Sequence, residues 1–306
     1  MSWTDLGGGV LSRRSRAFQM HSVVLLDAAH TVLVDPGVLP SELDDIAARV
    51  RAVNPAAITL IFTHAHWDHV LGRAWWPSAR TIGHHRFTTD LHRSMEWLHD
   101  EADKIAAQHG EKWAKRFEPF RPDEAVAGLH FHKVGPWRLV FRDAFGHSEG
   151  QFSIHLPEQR VLIAADMLSD IEVPMLDREP PATYLATLRA LLPALEGGAI
   201  ETLIPGHGTI ARGRAEVERR FTRDLAYLEA LEREVRRLRE GGASLAEAQG
   251  KLSKMDDVER HPEHPMRETH LENIQLAYEG VPAARPDQER AAAFRNAWEV
   301  ACLARS

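Results

Sequence analysis

Short apolar runs alternate with helical repeats along the first two thirds of the chain. Residues 22–26 and 31–34 are apolar runs joined by a short polar turn, which predicts a β-hairpin. Hydrophobic residues then recur at helical spacing after Ser41, which is predicted to cap the helix at its N-terminus. A further apolar run at 58–62 predicts the next strand. The order strand, strand, helix, strand predicts a layered α/β fold.

A second series of strands is predicted further along the chain. The apolar runs lie at 81–83, 129–132, 138–141, 152–156, 161–165 and 202–204. Between the last two of them, residues 182–195 have the spacing of a helix. Residues 86–117 interrupt this order with a helical pattern that ends before Pro119 and Pro122. That segment is either an inserted cap, spanning 86–122, or a helix that packs on the outside of a sheet.

The chain changes character beyond Gly213. Residues 214–240 are highly charged and carry one apolar stripe, which is the pattern of an amphipathic helix packed on a neighbour. Shorter helices are predicted at 244–252, 265–278 and 287–303. We therefore predict an α/β domain at 1–213 that carries the candidate chemistry, and a helical region at 214–306 that packs on it. The C-terminal helices also suggest a homodimer interface.

Composition narrows the class of protein. A net charge of -7 argues against a nucleic-acid-binding surface, and no apolar run reaches the length that spans a bilayer. The single cysteine, Cys302, excludes an internal disulfide and a site built from several thiolates. The first 20 residues lack the long apolar run of a signal peptide. We therefore expect a cytoplasmic protein that binds a small molecule. We do not expect it to bind a membrane or a nucleic acid.

The strongest chemical signal is the segment Thr63-His64-Ala65-His66-Trp67-Asp68-His69, which directly follows the strand at 58–62. Imidazole and carboxylate groups are ligands of divalent metals. Side chains that alternate along an extended segment point the same way, so His64, His66 and Asp68 are predicted to share one side. His69 would then serve a second position. A histidine-rich surface loop is the alternative, but the end of a buried strand is where α/β proteins build their sites.

Three more potential ligands follow later strands. They are His147, Asp166 and His207, and two of them lie in glycine-rich turns that leave room near an ion. Together with the four ligands of the first segment they make seven imidazole and carboxylate groups. Seven ligands suit two metal ions about 3.5–4 Å apart that share one carboxylate.

The combined pattern of His64-Ala65-His66-Trp67-Asp68-His69 with His147, Asp166 and His207 resembles the metallo-β-lactamase superfamily over residues 22–213. The strand end Asp35-Pro36-Gly37 also fits that family. The resemblance implies an αββα sandwich with two metal ions at one edge. By this resemblance the first ion would be held by His64, His66 and His147, and the second by Asp68, His69 and His207, with Asp166 bridging them.

The resemblance also implies hydrolysis by a hydroxide that bridges the two ions, since two divalent cations lower the pKa of a shared water towards neutrality. Asp68 would orient that nucleophile or receive its proton. Zinc is the first expectation because nitrogen ligands dominate, and iron or manganese are alternatives. We expect Asp35 and His84 to lie next to the metal ligands and to orient them through hydrogen bonds.

The subgroup of the superfamily is not identified from these residues. The chain lacks the Gly-Cys-Gly-Arg segment that glyoxalase II-like enzymes carry after the bridging aspartate. Its nearest tyrosine after Asp166 is Tyr184, whereas homoserine-lactone lactonases place one closer. Apolar residues near the ligands predict a pocket for an apolar ester, lactone or thioester, lined by Trp67, Trp75, Met167, Leu168 and Met175. A phosphodiesterase or nuclease, and a metal- or partner-binding module without turnover, are the alternatives.

Overall fold

A computed structural model describes residues 2–262 and 265–280. Its first sheet has seven strands in chain order. They are β1 Ser2–Asp5, β2 Val10–Arg14, β3 His21–Leu25, β4 Thr31–Val34, β5 Ile58–Ile61, β6 Arg80–His84 and β7 Glu124–Val126. The strands β1 to β4 are antiparallel, which confirms the predicted hairpin, and β4 to β7 are parallel.

The second sheet has six strands, again ordered along the chain. They are β8 Leu129–Val134, β9 Trp137–Asp143, β10 Phe152–Leu156, β11 Val161–Ile163, β12 Thr202–Ile204 and β13 Ala211–Arg212. Neighbouring strands are antiparallel except β11 and β12, which are parallel and are joined through a helix. The strand β7 is thus one edge strand of the first sheet, and β8 is one edge strand of the second. The two strands follow each other directly in the chain.

Seven α-helices flank the sheets in the described part of the chain. They are α1 Pro40–Val53, α2 Trp67–Val70, α3 Phe87–Gln108, α4 Pro181–Glu196, α5 Arg214–Glu240, α6 Leu245–Leu252 and α7 Arg267–Glu279. The two sheets pack face to face through apolar side chains such as Val34, Ile61 and Phe141. The helices α1 and α3 cover the outer face of the first sheet, and α4 to α7 cover the second. This arrangement confirms the predicted αββα sandwich.

The structure corrects several predicted elements. The helix α1 begins at Pro40, and Ser41 does not cap it but donates a hydrogen bond from its hydroxyl to Glu111. The helix α3 ends at Gln108, and the chain then runs to β7 as a loop. Because Leu91 and Leu98 of α3 are buried against the first sheet, this helix packs as an outer layer. The predicted helix at 287–303 and Cys302 lie outside the described residues.

The strands β1, β2, β7 and β13 are not predicted from the sequence. In β2 the charged Arg13 conceals the apolar alternation, yet it is only 7% exposed. Its guanidinium pairs with the carboxylates of Glu42 and Asp45 on α1 at 3.2 and 2.8 Å. In the sequence, a buried arginine that is paired in this way looks like a surface position. The strands β7 and β13 have three and two residues, too few for a periodic pattern.

The described helices include none that is both long and apolar enough to cross a bilayer. The long helix α5 buries one apolar stripe, which includes Val217, Leu228 and Leu231, in a cluster that it shares with α4. The homodimer interface suggested for these helices stays a prediction.

Candidate metal centre

The predicted ligands meet where strands of both sheets end. The segment 63–69 follows β5, His147 follows β9, Asp166 follows β11 and His207 follows β12. The carboxyl ends of parallel strands open on a common edge of a sheet, so short loops bring distant residues together there. His66 and His147 are 81 residues apart in the chain, yet Nδ1 of the first and Nε2 of the second lie 3.0 Å apart.

The first segment does not run extended as predicted. The residues His64 and His66 lie on an irregular stretch, whereas Asp68 and His69 belong to the one-turn helix α2. Asp68 therefore does not share one row with His64 and His66, while the ring centroids of His64 and His69 lie 4.1 Å apart. The sequence pattern therefore supplies two sets of ligands rather than one row.

The potential donor atoms form two groups, and within each group all atoms lie within 4.8 Å of one another. The first group consists of His64, His66, His147 and Asp166, and the second of Asp68, His69 and His207. In the second group, Nε2 of His207 lies 3.3 Å from Oδ2 of Asp68. These are the two sets that the family resemblance implied.

Asp166 lies between the two groups. Its Oδ2 is 3.5 Å from Nε2 of His64 and 3.2 Å from Nε2 of His147, both in the first group. The same oxygen is 3.4 Å from Nε2 of His207, and Oδ1 is 3.1 Å from Nε2 of His69, both in the second. One carboxylate thus faces nitrogen atoms of both groups.

These residues fit divalent metal ions. Ligand atoms that surround a tetrahedral ion at 2.0–2.1 Å are about 3.4 Å from one another, which is the spacing seen around Asp166. The atoms Nε2 of His64, Nε2 of His69 and Oδ1 of Asp166 are buried and have no hydrogen-bond partner among the described residues. Buried polar atoms without a partner are costly, and a bound cation satisfies them.

The charges of the site also favour a cation. Burial lowers the pKa of His64 to about 4 and holds that of His66 well below its ordinary value, so both rings are neutral, as metal ligands must be. Burial would by itself lower the pKa of His69. The carboxylates of Asp166 and Asp68 outweigh it and raise that pKa well above its ordinary value. The surroundings of His69, beside Asp68 and Asp166, therefore favour a positive charge.

Asp35 supports the centre from the end of β4. Its Oδ2 accepts a hydrogen bond from Nδ1 of His69 at 2.9 Å, and the carboxylate also accepts from the backbone N–H and the hydroxyl of Thr63 at 2.8 and 2.5 Å. This places the Nδ1 proton of His69 towards Asp35 and leaves Nε2 for a metal. Asp35 is 3% exposed and holds a left-handed backbone conformation, with φ of 45°.

Replacing Asp35 with asparagine is expected to weaken metal binding by about 10- to 100-fold, because His69 loses its charged acceptor. Equilibrium metal titration of the variant measures this loss. Asp123→Asn is the matched control, since Asp123 likewise accepts hydrogen bonds from the backbone N–H and hydroxyl of a strand threonine, Thr81, but holds no ligand. Equal losses of metal affinity in both variants would mean that Asp35 only stabilises the end of its strand and does not act through His69.

Two other histidines near the ligands differ from expectation. His84 was predicted behind a ligand, but its Nε2 lies 3.3 Å from Oδ1 of Asp143 and its ring lies against Phe145, so it contacts no ligand. His21, which the sequence analysis did not single out, lies 3.0 Å from the carbonyl of Gly208 through Nε2 and supports the loop of His207. Nothing in its local sequence distinguishes it.

The backbone around Asp166 is strained and tightly packed. Ala165 and Leu168 adopt φ values of 51° and 62°, in the left-handed region that side chains other than glycine seldom enter. At Gly206 an added Cβ would lie only 1.8 Å from Oδ1 of Asp166. Glycine is therefore required at position 206 so that the aspartate can reach between the two groups.

A pocket of about 390 Å³ opens onto the ligands. Of the predicted lining residues, Trp67, Leu168 and Met175 line it. Trp75 and Met167 do not. Trp75 donates its indole N–H to Asp44 and lies against Trp113, and Met167 is buried in the core beneath the second sheet. Further lining residues that the sequence did not indicate are Phe18, Trp97, Tyr184 and Met266.

Residues of the C-terminal region, Arg260 between α6 and α7 and Asn273 on α7, hold the wall of this pocket. Nη1 of Arg260 donates to the carbonyls of Ser169 and Glu172 at 3.0 and 2.7 Å. The side-chain amide of Asn273 donates to the carbonyl of Pro174 at 2.7 Å and accepts from the N–H of Leu176 at 3.0 Å. The loop that follows Asp166 is thus fixed by residues about one hundred positions later in the chain.

Glu179, which follows the pocket-lining residues Asp177 and Arg178, gives the stability of the fold a dependence on pH. Burial, helped by the charge of Glu149, raises the pKa of Glu179 from 4.5 to about 7. Between these values the folded protein binds more protons than the unfolded chain, so its stability falls as pH rises. After allowing for partial exposure, Glu179→Gln is expected to stabilise the protein by about 1–2 kcal/mol at pH 8 and less at pH 5. Urea unfolding at both pH values measures this, with the exposed Glu158→Gln as control; a gain that does not grow with pH would contradict it.

The fold is an αββα sandwich, and its candidate site gathers histidine and aspartate side chains in two groups that fit metal ions. Residues 16–207 match the model of the metallo-beta-lactamase superfamily, and the chain belongs to that superfamily. It is 24% identical over 162 residues to a chicken (Gallus gallus) protein named acyl-coenzyme A thioesterase MBLAC2, a match that covers 50% of this chain and 57% of that one. The chain thus matches little more than half the length of that relative.

Solved structures share the fold. The sec-alkylsulfatase Pisa1 from Pseudomonas sp. superposes with a TM-score of 0.65 and 14% identity, covering 92% of this chain and 50% of that one. A metallo-beta-lactamase family protein from Thermus thermophilus gives a TM-score of 0.61 and 19% identity, covering 90% of this chain and 95% of that one. At these identities the similarity shows the fold alone.

Proposed function

We propose that the protein is a thioesterase that hydrolyses thioesters of apolar acyl groups and depends on two divalent ions, with zinc as the first expectation. The observation that carries this proposal is an apolar pocket that opens directly onto the two donor groups around Asp166. Such a pocket holds the acyl chain while its carbonyl carbon faces the metal ligands.

The ligands supply the chemistry through the ions that they would hold. Two divalent ions bound by these groups would lower the pKa of a shared water and polarise the carbonyl of the substrate. Asp68 lines the pocket, and its Oδ2 lies 3.3 Å from Nε2 of His207. From this position it orients the attacking water and receives its proton. The leaving thiolate needs no proton from the protein, because thiols are much more acidic than alcohols.

The side chains of the pocket favour an uncharged acyl group over a phosphodiester. Phe18 contacts Trp67 edge to face, with ring centroids 6.0 Å apart, and Trp97 is 45% exposed at the pocket. Besides the ligands, carboxylates outnumber guanidinium groups in the lining: Asp90, Glu172, Asp177, Asp224 and Glu272 against Arg93 and Arg178. Apart from the metal centre, a polyanion would find few cationic partners in this lining.

The choice of a thioester over an ester or lactone rests on the relatives. The chicken protein is named an acyl-coenzyme A thioesterase. In this pocket the acyl chain would lie inside and the carrier of the thiol outside, near Arg93 and Arg178. Whether the carrier must be coenzyme A is tested by comparing carriers of different charge.

A substrate panel tests the proposal on metal-replete protein. It contains palmitoyl-coenzyme A, palmitoyl-N-acetylcysteamine, S-lactoylglutathione, p-nitrophenyl butyrate, homoserine lactone and bis-p-nitrophenyl phosphate. We expect the two palmitoyl thioesters to have the highest kcat/KM. Turnover of the phosphodiester alone would instead support the phosphodiesterase, and no turnover of any compound would support the module without catalysis.

A further inference from the structure

A third group of potential metal ligands lies outside the centre around Asp166. It consists of Glu124, His130 and His132, whose donor atoms all lie within 4.8 Å of one another. All three residues are partly buried. The two histidines occupy alternate positions of β8, so their side chains leave the same face of that strand. None of the roles assigned above uses them.

The position of the group in the fold is unusual. Glu124 begins β7, the edge strand of the first sheet, while His130 and His132 belong to β8, the edge strand of the second. The two imidazole rings lie 5.5 Å apart with an interplanar angle of 31°. Both lean on Phe141 of the interior, at 6.5 and 6.0 Å between ring centroids. Ligands from both sheets thus converge at the open edge of the sandwich.

The carboxylate of Glu124 is oriented for ligation. Its Oε1 lies 3.4 Å from Nδ1 of His132, while Oε2 accepts a hydrogen bond from Nη2 of Arg80 at 2.6 Å. One oxygen therefore faces the histidines and the other is held by a guanidinium. Carboxylates that bind metals are commonly held by such a second hydrogen bond, which fixes their direction.

We propose that Glu124, His130 and His132 bind an additional divalent ion of the zinc class, which ties the edge of the first sheet to the edge of the second. Two imidazoles and one carboxylate suit zinc, cobalt or nickel, and water completes the coordination on the exposed side. Calcium and magnesium prefer oxygen ligands and are disfavoured here. The ion binds the folded chain preferentially, because the unfolded chain does not hold the two strands together, so it stabilises the fold.

The test is the zinc content of the full chain after equilibrium dialysis against buffered micromolar zinc. The double variant His130→Gln/His132→Gln is expected to bind one zinc ion fewer than the unchanged protein, while the control His92→Gln, an exposed histidine of α3, binds as many. At saturating zinc the unchanged protein is expected to gain about 5 °C more in Tm than the double variant. Thioester hydrolysis is expected to be equal in all three proteins.

Glu124→Gln gives a second test that keeps the packing of the histidines on Phe141. It is expected to lower the affinity for this ion at least tenfold, because the ligand loses its charge. Equal zinc content and equal gains in Tm for the unchanged protein and the double variant would overturn the proposal. That result would leave the group as two core-facing histidines beside the Arg80–Glu124 ion pair.

Discussion

Replacing Asp166 with asparagine is expected to lower kcat/KM by at least about 1,000-fold and to reduce the metal content of the protein. The carboxylate faces nitrogen atoms of both donor groups at 3.1–3.5 Å, so its loss affects both at once. Metal ions supply several kcal/mol of transition-state stabilisation, and about 4 kcal/mol corresponds to about a thousandfold in rate. Asparagine keeps the size of the side chain but not its charge.

Metal analysis of the purified variant and the hydrolysis rate with a palmitoyl thioester measure this effect together. Asp44→Asn is the control, because Asp44 is an exposed aspartate that accepts a hydrogen bond from the indole N–H of Trp75. Full metal content together with full rate in Asp166→Asn would remove the basis for the two-ion assignment. His66→Ala is expected to behave similarly but to affect chiefly the first donor group.

Replacing Asp224 with alanine is expected to destabilise the fold by about 3–5 kcal/mol, because it removes the fully buried carboxylate that faces the buried guanidinium of Arg260. Nη1 of Arg260 lies 2.6 Å from Oδ1 of Asp224, and the two side chains are 0% and 1% exposed. The N–H of Leu168 also loses its acceptor, Oδ2 of Asp224. The loop that follows Asp166 would then loosen, so hydrolysis is expected to fall with stability.

The pair itself is a weak source of net stability. Burial raises the pKa of Asp224 even with Arg260 beside it, so the carboxylate loses more from burial than it gains from its contacts. The pKa of Arg260 is raised because Asp224 and Asp257 outweigh its burial, so the net effect of the surroundings favours the charged form of only one partner. Changing both partners, as in Asp224→Ala/Arg260→Met, is therefore expected to cost less than Asp224→Ala alone. Urea unfolding of the two variants gives the comparison. A double variant that is less stable than the single one would contradict it.

Asp257→Ala serves as the matched control for this pair. Asp257 also contacts Arg260, through Nη2 at 2.7 Å, but its side chain is 26% exposed. Partly exposed ion pairs contribute about 0–1 kcal/mol, so a much smaller loss is expected. A loss as large as that of Asp224→Ala would show that the burial of the carboxylate does not set the cost of removing it.

The convergence of the candidate ligands could be predicted from the sequence because they follow apolar runs that form strands. The segment 63–69 and the residues His147, Asp166 and His207 each follow a predicted strand, and the fold brings such ends together. The local path of the chain was harder to predict. The turn of α2 that separates Asp68 from His66 covers four residues, which is too short for a periodic pattern.

The pocket wall was predicted less well for a physical reason. Trp75 was expected at the pocket but packs on Trp113, whereas Trp97 of α3 borders the pocket. Which face of a helix meets a cavity depends on the elements that pack against it. Here those elements include α5 and α7, whose residues Asp224 and Asn273 hold the loop after Asp166 from a distant part of the chain.

The measurement that tests the central proposal most directly is the rate of thiol release from a palmitoyl thioester as zinc is added back to metal-free protein. His130→Gln/His132→Gln is the protein to use, so that the additional ion proposed at Glu124 does not enter the count. We expect no turnover without metal, and a rate that rises with zinc and levels off at two ions per chain. Turnover by the metal-free protein, or none by the fully loaded one, would contradict the proposal.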